Sequence, residues 1–83
     1  MIEPAASPCA MIEHIAKAIV DAKSEVFVEE YEDGDETVIE LEVAEADLGK
    51  IIGRSGRVAR ALRNVLSAAG SKVDKRYALE IIE

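Results

Sequence analysis

Gly53-Arg54-Ser55-Gly56 is the stretch of this chain whose residue types and spacing suit a ligand. Two glycines bracket a guanidinium and a hydroxyl, and Lys50 and Arg57 stand on either flank. Glycine has no side chain to hold a ligand backbone away, and it reaches the dihedrals that a sharp reversal needs. A helix opening near Gly56 would aim its unpaired first-turn N–H groups and its positive dipole end at the same spot. The chemistry on offer is the seating of an anion such as a phosphate.

No other constellation competes with it. His14, the only histidine, falls on the polar side of an expected helix with Lys17 and Asp21, has no nucleophile or second ligand near it in sequence, and reads as exposed and non-catalytic. Cys9 reads the same way. No C-x-x-C or H-x-x-x-H pattern marks a metal site. The carboxylates are strewn along strands and a turn and do not converge as an acid/base pair must. Neither G-x-x-x-x-G-K-[ST] nor G-x-G-x-x-G is present. Catalytic residues, metal ligands and cofactors are therefore all assigned as none.

The elements that must position the glycine turn follow from periodicity. Ser7-Pro8 is a helix start, and Met11, Ile12, Ile15, Ala16, Ile19 and Val20 recur at helical spacing up to an expected end near Ala22. Residues 1–7 are expected to be a flexible tail and 8–83 a single domain. Residues 25–32 and 37–43 alternate with period two around the turn Asp33-Gly34-Asp35-Glu36 and predict a hairpin. Val26, Val28, Ile39, Leu41 and Val43 are assigned to its core face. Phe27, Tyr31 and Val38 share the other face with Glu29, Glu40 and Glu42. With Ile82, these apolar residues are either scattered surface positions or a partner surface.

Residues 46–52 predict a short helix with Asp47 in its first turn, where a carboxylate suits the dipole, and with Leu48, Ile51 and Ile52 apolar. Past the glycine turn, Val58, Ala61, Leu62, Val65, Leu66 and Ala69 form one stripe of a longer helix, with Arg57, Arg60 and Arg63 on its other side and Gly70 as the expected stop. Residues 77–82 read as a last strand with Leu79 and Ile81 inward. A right-handed crossover makes that strand parallel to the second. The expected class is α+β in the order α-β-β-α-α-β, a three-stranded mixed sheet with three helices on one face.

The formal net charge of −7 over 83 residues argues superficially against a polyanionic partner. The charge is uneven, however: residues 1–47 hold two lysines against fourteen Asp/Glu, and residues 48–83 hold eight Lys/Arg against three Asp/Glu. Local field steers a polyanion more than total charge does, and positive charge gathers from the glycine turn onward. One cysteine permits no internal disulfide, Met1-Ile2-Glu3-Pro4 lacks a secretory pattern, and no apolar run approaches the roughly 18–20 residues that cross a bilayer. The expected location is cytoplasmic.

Ile51-Ile52-Gly53-Arg54-Ser55-Gly56-Arg57, set between two helices in this element order, resembles the GXXG motif of the KH domain in its type II arrangement. With Asp47-Leu48-Gly49-Lys50 before it, an Ala/Arg-rich helix after it and a final Leu79-Glu80-Ile81-Ile82, residues 11–83 resemble the small stand-alone KH proteins of bacteria. The resemblance implies single-stranded RNA binding, the loop gripping the backbone of about four nucleotides. It implies that Gly53 and Gly56 allow close approach, that Arg54 and Ser55 contact phosphate, that Lys50 and Arg57 flank it, and that Ile52 and Val43 help to line a groove for bases. Arg60, one turn along, is counted with the RNA-binding residues, its alternative being a surface charge; Arg63 reads as a solvated surface charge. The family further implies an RNA chaperone or post-transcriptional regulator linked to cell-envelope growth, with a larger RNA-binding protein or a second copy as protein partner. The competing function is a protein–protein adaptor that keeps the KH fold while RNA binding is incidental.

Overall fold

Ser7 opens the first helix, α1 (Pro8–Ile19), its Oγ accepting the Ala10 N–H at 3.1 Å while Pro8 occupies the first turn, where its missing donor costs nothing. The coordinates, a computed structural model, describe residues 7–82. The tail expected over residues 1–7 lies outside the described residues except for Ser7, which is this cap. Strand β1 (Phe27–Asp33) pairs antiparallel with β2 (Glu36–Glu42) through a turn in which Gly34 takes φ +69°. Two helices follow, α2 (Leu48–Ile52) and α3 (Arg57–Val73), and β3 (Arg76–Ile81) then adds parallel to β2, giving the order β1-β2-β3. The mixed sheet carries its three helices on one face, where their apolar sides share one core with the strands. Among the described residues no helix is long and apolar enough to cross a membrane.

The core lies between those layers. Ile12 and Ala16 from α1, Ile51 from α2, and Leu62 and Leu66 from α3 close over Ile39, Leu41 and Leu79 of the sheet. Ile12, Ile39, Leu41, Ile51 and Leu66 are fully buried, each contributing on the order of 1.5–3 kcal/mol. Every element thus supplies at least one anchor to a single apolar cluster, except β1, whose Val28 is half-buried against it and whose preceding Val26 is buried.

Four expectations change. Helix α1 ends at Ile19, not near Ala22, because Val20 turns extended and its N–H closes on the Ala16 carbonyl. Val38 is only 5% exposed although it points away from the helices, since the register sets it between Tyr31 and Ala78. On α3 the buried residues are Ala59, Leu62, Leu66 and Gly70, while Ala61 and Val65 of the expected stripe are exposed. Gly70, finally, does not stop the helix, which runs to Val73 and ends on Asp74 at φ +60°.

Gly70 is a crossing point. The chain returning into β3 passes so close that a Cβ there would collide with the Lys75 carbonyl and sit 3.0 Å from the Tyr77 ring, while the Lys75 N–H donates to the Gly70 carbonyl at 2.8 Å. Both partners are backbone or packed ring, so neither gives way cheaply. Gly70→Ala should therefore destabilise the fold by about 1–3 kcal/mol despite alanine's better helix propensity, read from the urea midpoint.

Candidate functional site

The glycine turn is held open by its own backbone. Gly53 ends α2, its N–H donating to the Gly49 carbonyl at 2.8 Å, and takes φ +78° with ψ 170°. An added Cβ there would meet the Val58 side chain at 2.5 Å and the Val58 nitrogen at 2.8 Å, so both conformation and space demand glycine. Gly56 N–H then donates to the Gly53 carbonyl at 3.1 Å and Arg57 N–H to the Arg54 carbonyl, forming one turn of 3-10 helix across Arg54–Gly56. Ser55 (φ 56°) and Gly56 (φ 74°) are left-handed, and Arg57 reverts to right-handed geometry at φ −65°. A left-to-right alternation of this kind turns successive N–H groups toward one concave side, where an anion is favoured. The N-terminus of the seventeen-residue α3 adds its dipole to the same side.

Arg54, Ser55, Arg57 and Arg60 are exposed, and Gly53, Gly56 and Ile52 are half-buried. Arg60 donates to the Ser55 carbonyl at 3.1 Å and so braces the strained residue from the helix side. Holding a serine in left-handed geometry costs on the order of 1–2 kcal/mol, and this bond offsets part of it. The sequence does not reveal the brace, because a five-residue spacing across a turn matches no helical pairing.

Lys50 stands differently from its neighbours. Its Nζ is paired with the Asp21 carboxylate and lies 3.5 Å from Asp47, and the hydrogen bond to Asp21 pushes its ammonium above the ordinary lysine range. A phosphate reaching Lys50 would have to compete with Asp21. Val43 is 8% exposed and belongs to the core cluster, whereas Ile52 keeps an open surface. Arg63 is exposed, as expected of a surface charge, and also reaches across to β3 to donate to the Leu79 carbonyl at 3.4 Å.

Asp47 is the functional residue whose role periodicity misses. It stands at the N-cap position of α2 but its side chain makes no capping bond there; the buried carboxylate accepts the Asp21 N–H at 3.2 Å and the Ala22 N–H at 3.0 Å instead. The Ala22 bond first, with the Asp21 bond and Lys50, holds its carboxyl below the usual aspartate range against the opposing effect of burial. This ties the segment after α1 to the start of α2 and thereby sets where the glycine turn emerges.

A second feature lies beside the loop. An apolar cleft of about 360 Å³ between α1 and α3 is lined by Ile15, Ile19, Val58, Ala61, Leu62 and Val65, and Arg57 lines it too, so cleft and loop share a residue. His14 is exposed on α1 and Cys9 is half-buried, its thiol raised first by burial and then by Glu30 and Glu13. Among the described residues no group of three acids, histidines or cysteines could hold a metal ion.

Comparison with known proteins shows what the chain is similar to. The family described as KhpA/KhpB, KH domain, matches residues 10–81. The chain is 52% identical to "RNA-binding protein KhpA" of Aquifex aeolicus over 73 residues, covering 88% of this chain and 92% of that protein. It is 48% identical to the protein of the same name in Halalkalibacterium halodurans, covering 88% and 96%, and 47% identical to that of Treponema pallidum, covering 88% and 91%. Among solved structures, Aquifex aeolicus Era bound to GDP and aluminium fluoride superposes with a TM-score of 0.57 at 15% identity, over 89% of this chain and 29% of that one. Era in complex with MgGDPNP and nucleotides of 16S ribosomal RNA gives a TM-score of 0.57 at 14% identity, over 98% and 35%. This chain thus spans about a third of those Era chains, and the likeness concerns the fold alone.

The Asp47 tie has a pH-dependent consequence. A carboxyl held below its unfolded value stabilises the fold above the ordinary aspartate range, near pH 4, and the contribution is lost as pH falls through the lower folded value. Asp47→Ala should lower the thermal midpoint by roughly 5–10 °C at neutral pH. The gap to the unsubstituted protein should shrink in a calorimetric series taken below about pH 4.

Proposed function

The chain belongs to the KhpA/KhpB KH-domain family, and from that premise we propose that it is a non-enzymatic, cytoplasmic binder of single-stranded RNA. The observation that carries this reading is the exposed turn at residues 53–56, with its left-handed Ser55-Gly56 pair at the mouth of α3. In this reading the sugar-phosphate backbone lies against Gly53 and Gly56, Arg54 and Arg57 supply charge from either side, and Ser55 offers its hydroxyl. Arg60 shapes the loop as much as it attracts the ligand, and Lys50 reaches a phosphate only by leaving Asp21. Ile52 supplies the apolar contact for a base.

Affinity for a short strand is modest. The three aromatic residues, Phe27, Tyr31 and Tyr77, all lie in strands, so the loop lacks the stacking worth ~1–3 kcal/mol per base in other single-strand binders. Such a module gains from a second one acting on the same strand, since linkage raises effective concentration. The apolar cleft beside the loop favours this arrangement: Ala61 and Val65 are exposed there on a helix otherwise arginine-rich. We assign to that cleft the contact with a protein partner, a larger RNA-binding chain or a second copy. The regulatory role, as chaperone or post-transcriptional regulator, rests on the same two surfaces acting together.

Two variants separate these roles. Replacing Arg54 and Ser55 together by aspartate should weaken binding of a short single-stranded RNA at least tenfold with the melting curve little changed. The unsubstituted chain, contacting three or four phosphates, should show a log affinity against log salt slope of about −2 to −3. Retained affinity in the double variant refutes the loop assignment. Val65→Glu should keep RNA binding by the isolated chain and abolish co-sedimentation with a protein partner, or dimerisation where the partner is a second copy; unchanged assembly removes the cleft from the interface.

A further inference from the structure

The sheet face turned away from the helices is covered by no element among the described residues, and its side chains are sorted into rows. The register aligns Tyr31, Val38 and Ala78 in one row and Glu29, Glu40 and Glu80 in the next. Phe27 faces Glu42 beyond them, and Phe27, Glu29, Glu40, Glu42 and Ile82 enclose a shallow pocket of about 100 Å³. Phe27 is 59% and Ile82 40% exposed, so the pocket has an open aromatic wall and an open aliphatic wall.

The acid row is unusual for a sheet. Residues paired across strands stand about 5 Å apart, where like charges repel and cost stability. The three strands contain a single Lys or Arg, Arg76, which lies at the far end of the sheet and pairs with Asp35 at 3.5 Å. Nothing basic within the sheet therefore neutralises Glu29, Glu40 and Glu80. Their charges reach Tyr31, whose phenol is raised first by partial burial and then by Glu80 and Glu40.

Charge complementarity selects the occupant. A nucleic acid is repelled by this face, and a second copy would set acid row against acid row. A cationic side chain relieves the repulsion, and of the two available, arginine brings five donors in a plane and stacks on an aromatic face. We propose that this face docks a basic segment of a protein partner, one arginine of which sits between Phe27 and the Glu29, Glu40 and Glu42 carboxylates. The chain then has two surfaces of opposite sign: the loop for the RNA backbone and the sheet for a basic protein segment.

The test uses the full chain and a short synthetic peptide of alternating arginine and serine, followed by amide shifts and fluorescence anisotropy. Shifts should gather on Phe27, Glu29, Glu40 and Glu80. The triple variant Glu29→Gln/Glu40→Gln/Glu80→Gln should bind the peptide about tenfold more weakly, and Phe27→Ala about threefold. The triple variant should also melt no lower than the unsubstituted chain, because the row repulsion is gone. A control with equal charge removed elsewhere, Glu13→Gln/Glu45→Gln/Asp74→Asn, should keep affinity within about twofold, since rim charges at a distance are screened. Equal loss in the control, shifts confined to the helices, no binding of the peptide, or self-association through this face each overturns the proposal. Arg54→Asp/Ser55→Asp should leave peptide binding intact, so failure here and failure of RNA binding at the loop are separately visible.

Discussion

One buried carboxylate fixes the start of α2, and with it the loop that follows, against the end of α1. Asp47 sits at the junction of β2 and α2, and its two oxygens take the N–H groups of Asp21 and Ala22, which lie beyond the end of α1 and would otherwise need water. A carboxylate with so little solvent around it persists only when such donors are supplied, and Lys50, one turn along, adds a compensating charge. Lys50 then extends the tie to Asp21, so an acid, a lysine and a second acid stitch two segments that are far apart in sequence. Five-residue α2 is too short to hold a direction by its own hydrogen bonds. Its direction comes from Ile51 in the core and Asp47 at its head.

From α2 the constraint passes to the loop. Gly53 must admit Val58 where a Cβ would be, so the first turn of α3 packs directly on the end of α2. The reversal is then shorter than any side-chain-bearing residue would allow, and Arg54 and Ser55 are pushed outward into solvent. Arg60 closes the arrangement from the far side by holding the Ser55 carbonyl. The turn is thus held in one geometry by its own contacts, and under the proposed reading little ordering of the loop remains to be done on binding.

What the sequence discloses and what it hides divide along a physical line. Period-two and period-3.6 apolar patterns disclosed all six main elements, their order and most of the core, because those patterns are set by each element's own face. The motif at residues 53–56 was legible because glycine spacing is itself the geometry. Hidden were the roles of Asp47, Gly70 and Val38, each decided by a partner outside its own element: Ala22, Lys75, and Tyr31 with Ala78. Gly70 is instructive, since a glycine near a helix end fits both a stop and a crossing, and only the path of β3 selects between them. The stripe of α3 erred for a related reason. Its apolar arc is wider than the sheet can cover, and the excess, Ala61 and Val65, is left in the cleft against α1.

That excess bears on how an acidic chain can hold a polyanion. The fold segregates its charge by layer: the three strands carry eight Asp/Glu against one arginine, Arg76, and the other exposed arginines, Arg54, Arg57, Arg60 and Arg63, sit on the loop and on α3. With a screening length of roughly 8 Å at physiological salt, charges on the far side of a sheet-and-helix sandwich about 21 Å through at its narrowest contribute little at the loop. A polyanion near the loop is therefore acted on by the arginines and not by the average of the molecule. The two surfaces differ in sign, so a polyanion is repelled by the acidic sheet face and a cationic segment by the arginines of the loop and α3. The net charge of −7 is then compatible with RNA binding, because the acid and the arginines occupy different surfaces.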